Sequence, residues 1–204
     1  MPYKAIRFLY VFLLFVNFAQ ANAGVPMLGA IWPPAIISLL FVILIESRYM
    51  QKSEILKQHK IEKREIVQMV RFSNIISTLF GMPFVWFVLM KIQMVLPGGG
   101  HGHDWGNWEY IYGVTVQAAW LIPFEQQLYW MIPVAYTVLM VPCFLASYWI
   151  ELHVNYGFVK SKIELKDLKK IVWNANLCSY AFLMLFPIGY FFYFGVWIKY
   201  LGMK

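Results

Sequence analysis

The chain has 204 residues, of which 61% are hydrophobic, 19% aromatic and only 13% charged, and its mean hydropathy is +0.59. A soluble globular domain carries about twice that share of charge, so the composition excludes an ordinary soluble enzyme and points to a single-domain integral membrane protein. The net charge of +7 does not mark a nucleic-acid binder, because the basic residues lie between apolar runs and form no soluble basic module.

At the N-terminus, Lys4 and Arg7 precede an apolar run from Phe8 to Phe18, and Ala21-Asn22-Ala23 follows with small residues at its ends. This is the pattern of a secretory signal peptide over residues 1–23, cut after Ala23. The run is short for a membrane span; an uncleaved extra helix is the alternative. Four longer apolar stretches come next: Leu28–Ile45, Phe72–Leu96, Leu128–Ile150 and Trp173–Tyr200, of 18, 25, 23 and 28 residues. A span needs about 20 residues at roughly 1.5 Å each. The expected fold is therefore all-α, a bundle of four transmembrane helices in residues 24–204.

Lys and Arg set the orientation. Arg48, Lys52, Lys57, Lys60, Lys63, Arg64 and Arg71 fall in residues 47–71, and Lys160, Lys162, Lys166, Lys169 and Lys170 in residues 152–172. Residues 97–127 carry none. The excess of positive charge puts the first two segments in the cytoplasm. The third segment and the C-terminus then lie outside, as a cleaved signal also requires.

Two stretches resemble each other. IEKREIVQMVRFSNIISTLF from Ile61 aligns without a gap, at an offset of 102, with IELKDLKKIVWNANLCSYAF from Ile163. Ile61, Glu62, Val70, Asn74, Ser77 and Phe80 meet Ile163, Glu164, Val172, Asn176, Ser179 and Phe182. Glu46 and Glu151 close the preceding spans. Pro26, Trp32 and Pro34 have counterparts in Pro123, Trp130 and Pro133. This predicts a helical hairpin used twice in the same topology, at about 24–96 and 123–204 with an outer loop at about 97–122, related by an axis along the membrane normal.

The shared polar residues are the main candidate site. Asn74 and Ser77 are three apart and share a helix face, as do Asn176 and Ser179. Glu46 and Glu151 are expected at the cytoplasmic boundary, within reach of those amides, with Arg48 or Lys160 available to neutralise them. An unsatisfied polar group in hydrocarbon costs several kcal/mol, so the six should face one another. The cluster reads as a clamp fixing helix register or as an ion or proton site, the usual suspicion for an intramembrane acid.

The remaining features are weaker. Lys91 is expected to snorkel to the outer interface, and Pro83, Pro142 and Pro187 to bend their helices. His101, His103 and Asp104, after Gly98–Gly100, have donor types suited to a transition metal, set against a solvated loop tip. Trp105, Trp108, Tyr110, Tyr112 and Trp120 form an aromatic belt and a candidate partner-docking surface. Residues 111–122 suit an interfacial or re-entrant helix. Cys143 and Cys178 lie in spans and read as small apolar residues. His153 lies two residues after Glu151, more simply a solvated residue than part of the cluster. No phosphate loop, CxxC, HExxH or nucleophile elbow occurs, so no cofactor and no enzymatic activity are expected.

The segments GVPMLGAIWPP, VILIES, SNIISTLFGMPFVW, AAWLIPFEQQLYWMIPVA and NANLCSYAF together resemble an uncharacterised family of small bacterial inner-membrane proteins with a signal peptide and four transmembrane helices. The resemblance implies topology and an inner-membrane location and supplies no catalytic residues. The expected role is a non-enzymatic accessory, anchoring or assembly subunit of a membrane complex. A small transporter or channel with its polar site between the hairpins is the alternative, and a periplasmic-face metal binder the second. Membrane lipids and protein partners or self-association are the expected contacts.

Overall fold

A computed structural model describes residues 25–96, 108–121 and 127–200, with the side chains of the last helix followed to Tyr193. The expected signal peptide, and His101, His103, Asp104 and Trp105, lie outside these residues. About 86% of the structure is helical. Its elements are β1 (Val25–Pro26), α1 (Leu28–Gln51), α2 (Glu54–Gln58), α3 (Lys63–Ile76), a π-helical turn (Ser77–Gly81), α4 (Met82–Val95), α5 (Trp108–Thr115), β2 (Trp120–Leu121), α6 (Leu128–Val159), α7 (Leu165–Leu183) and α8 (Leu185–Tyr200).

Four helical runs are long and apolar enough to cross a membrane: Leu28–Gln51, Lys63–Val95, Tyr129–Val159 and Leu165–Tyr193. They pack as a ring. Within each hairpin α1 meets α3 and α6 meets α7; between hairpins α1 meets α7 and α3 meets α6. The runs outreach the hydropathic stretches at their basic ends. Apolar residues at helical spacing there, Ile66, Met69 and Val70 on α3 and Leu168, Ile171 and Val172 on α7, join Met50, Leu152 and Val159 in a buried cluster. A second cluster fills the other end, around Met27, Ile31, Leu121, Met131, Ala135, Tyr136 and Leu139.

The second span stays continuous past Pro83 by widening. The Met82 N–H bonds the carbonyl of Ser77, five residues back, which is the π-helical pattern. The next bond of that pattern would need an N–H from Pro83, which has none. The indole Nε1–H of Trp32 on α1 donates to that vacant Thr78 carbonyl at 3.0 Å. The second hairpin meets Pro187 differently: α7 ends at Leu183, Met184 makes a turn, and α8 resumes at Leu185.

Residues 111–121 do not form one continuous helix, though they do enter the bundle, as the re-entrant alternative had it. Helix α5 stops at Thr115, whose hydroxyl bonds back to the Ile111 carbonyl at 2.6 Å. The chain then turns inward, and Trp120–Leu121 pairs antiparallel with Val25–Pro26. The indole of Trp86 and the amide of Gln93, both on α4, donate to the carbonyls of Ala119 and Trp120 at 2.7 and 2.9 Å. These polar groups from α4 draw the segment into the bundle, where Gln117, Ala118, Ala119 and Leu121 are buried.

Candidate functional site

Between the two apolar clusters lies a polar layer. Glu46 on α1 and Glu151 on α6 are each 2% exposed, Asn74 is 2% and Asn176 fully buried. Asn74 Nδ2 donates to Glu46 Oε2 at 2.6 Å, and Asn176 Nδ2 to Glu151 Oε2 at 2.8 Å. These two bonds stay within their hairpins. The serines cross between them: Ser77 Oγ donates to Glu151 Oε1 at 2.8 Å, and Ser179 Oγ to Glu46 Oε1 at 2.6 Å. The structure thus brings all six predicted cluster residues together, and every carboxylate oxygen receives one donor from the chain.

Local helix geometry aims these donors. Each asparagine spends a second amide hydrogen on the carbonyl four residues back, Val70 for Asn74 and Val172 for Asn176. That fixes the amide plane against its own helix. Each serine hydroxyl also lies within reach of the carbonyl three residues back, at 3.2 and 3.0 Å, longer than its carboxylate bond. Gly81 allows the close packing: a Cβ there would stand 2.7 Å from Ile150 Cδ1, next to Glu151.

The electrostatics are unusual because neutral groups make all four bonds. The two carboxyl groups are within direct reach of each other. Two like charges about 4 Å apart repel by about 4 kcal/mol even at an effective dielectric of about 20. No basic side chain bonds either group among the described residues; Arg48 and Lys160 are exposed. The expected neutralisation by Arg48 or Lys160 is therefore not what the structure presents. The helices run on beyond the layer, and their apolar ends seal it. His153 also stays out: it is exposed, its Nδ1 is 2.7 Å from the Trp149 carbonyl, and its ring packs on Trp149.

Some polar residues of the layer escaped the sequence reading. Ser147, Glu151 and Asn155 are four apart on α6, so one polar stripe runs down an otherwise apolar helix; that spacing is the signal. Ser147 Oγ and Tyr180 Oη are 2.9 Å apart, one turn from Glu151. Buried polar atoms without a hydrogen-bond partner include Ser47 Oγ, Asn155 Oδ1 and Asn176 Oδ1, and all three belong to or adjoin the layer.

The candidate docking residues divide. Trp108 is 69% exposed and borders a shallow groove with Ile111, Tyr112 and Thr115. Tyr110 instead packs edge-on against Trp130, and Trp120 packs tilted against Trp86, both inside the bundle's own structure. Cys143 and Cys178 are free thiols. Lys91 is exposed, its Nζ 5.4 Å from the centre of the Phe87 ring.

No family model matches the sequence, and no curated protein or solved structure matches it either.

Proposed function

We propose that the chain is a multi-pass protein of a bacterial inner membrane and serves there as a non-enzymatic anchoring or assembly subunit, its duplicated hairpins locked by the Glu/Asn/Ser clamp. Residues 47–71 and 152–172 face the cytoplasm, and residues 97–127 the outside. Insertion is supported by the outward faces of the bundle: Ile37, Phe80, Phe84, Val95, Val141 and Phe192 are each more than 60% exposed. Water would penalise such a surface heavily, and lipid would not.

One observation carries the anchoring role. All four carboxylate oxygens are taken by donors from the chain itself, and two of those donors cross between hairpins. An arrangement so closed on itself fixes one packing of four helices, which suits a rigid part within a larger assembly. Protein purified from its own membranes in mild detergent should run with partner chains or further copies. A stoichiometric monomer under those conditions overturns the reading.

The buried acid pair without a basic partner favours a second reading, a small transporter with its path at Glu46, Asn74, Glu151 and Asn176. Ion or proton flux in proteoliposomes, lost in a folded Asn74→Leu or Asn176→Leu variant, would replace the first reading with this one.

A further inference from the structure

We infer that the polar layer holds one exchangeable monovalent cation, a proton or Na+, between Glu46 and Glu151. The inference rests on the clamp geometry and not on the subunit role. Two acidic side chains meet there. The groups that face them are Asn74 and Ser77 from α3, Asn176, Ser179 and Tyr180 from α7, and Ser147 and Asn155 from the stripe on α6. The titratable members of this surrounding are Tyr180 and, next to it, the Cys143 thiol, and neither supplies positive charge. The four chain donors bring dipoles only. No side chain among the described residues brings a positive charge to the pair.

A second observation points to the same occupant. Asn176 is fully buried, its Nδ2 is bound to Glu151, and its Oδ1 has no hydrogen-bond partner. That oxygen belongs to the same amide whose nitrogen bonds Glu151. Asn155 Oδ1, one helical turn beyond Glu151 towards the basic end, and Ser47 Oγ, adjacent to Glu46 in sequence, are likewise buried without partners. Buried unpaired acceptors call for a donor or cation that the described residues do not provide. Oxygen-only donors around two acidic groups suit a small hard cation, and Na+ entering there takes the place of the shared proton. The stripe Ser147, Glu151 and Asn155 extends the polar lining from the layer towards the basic end of the bundle.

The test uses the full chain in detergent or nanodiscs. Infrared difference spectra at neutral pH are recorded in choline and then in Na+ buffer, with proton release followed by a pH dye. A protonated carboxyl band that disappears on adding Na+, with about one proton released per chain, identifies Na+ exchange. A band that persists in Na+ and shifts in heavy water identifies a resident proton. Either result supports the inference, and Glu46→Gln/Glu151→Gln should remove the band. A wild-type protein with no protonated carboxyl band in either buffer, and a melting temperature unmoved by Na+, overturns it. So does a band that survives in the double variant. Should that variant not fold, the wild-type spectra and melting alone decide. Because the readout needs no partner, a monomeric preparation with an intact band would sink the subunit reading and leave this one standing.

Discussion

The two helical hairpins treat their proline-bearing helices differently and their acids alike. In the first, the returning helix widens into a π turn before Pro83 and takes its missing hydrogen bond from Trp32. In the second, the helix breaks at Met184, ahead of Pro187, and restarts. Yet Ser77, at the start of the π turn, and Ser179, five residues before Met184, deliver the same bond to the opposite hairpin's glutamate, 2.8 and 2.6 Å long. Backbone repair has several workable solutions. A buried carboxylate pair tolerates few, since every oxygen needs a donor.

That comparison can be strained at several points, and the largest effect is expected at the acids. Glu46→Ala and Glu151→Ala each take the carboxyl acceptor from one asparagine amide and one serine hydroxyl, at about 1–3 kcal/mol per lost partner. Both should lose most of their folded, monodisperse fraction in detergent, to a similar degree. A large loss for one and none for the other would break the equivalence of the hairpins. Gly81→Ala comes next. Its methyl would meet Ile150 Cδ1, a forced repacking worth about 1–3 kcal/mol. Gly189→Ala on α8 meets nothing within 4 Å, so thermal melting should separate the two.

Trp32→Phe removes the donor to Thr78 and should cost about 1 kcal/mol, read as a lower melting temperature. Trp130→Phe, whose indole bonds only the side chain of Gln127 near the outer end, should cost less. The smallest effect belongs to Lys162→Met. Its 2.7 Å ion pair with Glu65 joins the hairpins, but it is solvent-accessible and contributes about 0–1 kcal/mol. A melting shift as large as that of Gly81→Ala would mean that the basic ends, and not the polar layer, hold the halves together.

Much of the site was legible in the sequence because the repeat spacing pairs Asn74 with Asn176 and Ser77 with Ser179. Spacing also links each glutamate to the asparagine of its own hairpin. It says nothing of the serine crossing, which arises only when α1 packs on α7 and α3 on α6. The burial of the two acids was hard to see for a related reason. Hydropathy falls at Glu46 and Glu151, so the spans seem to end there. The charged segments beyond them still carry Ile66, Met69, Leu168 and Ile171 at helical spacing, and these close a second core over the acids. Asn155 was overlooked because a single amide in an apolar helix carries weight only once its spacing from Ser147 and Glu151 is counted. The end of helix α5 at Thr115 was not legible because the partners on α4 that hold the following carbonyls, Trp86 and Gln93, are some thirty residues away in sequence.

The most direct test of the crossed clamp is a double-mutant cycle on Ser179 and Glu46, which are 133 residues apart in the chain. Ser179→Ala, Glu46→Gln and the double variant would be compared by reversible unfolding in detergent. The crossed geometry predicts a coupling energy of about 0.5–2 kcal/mol between them. Strictly additive effects of the two substitutions would contradict it.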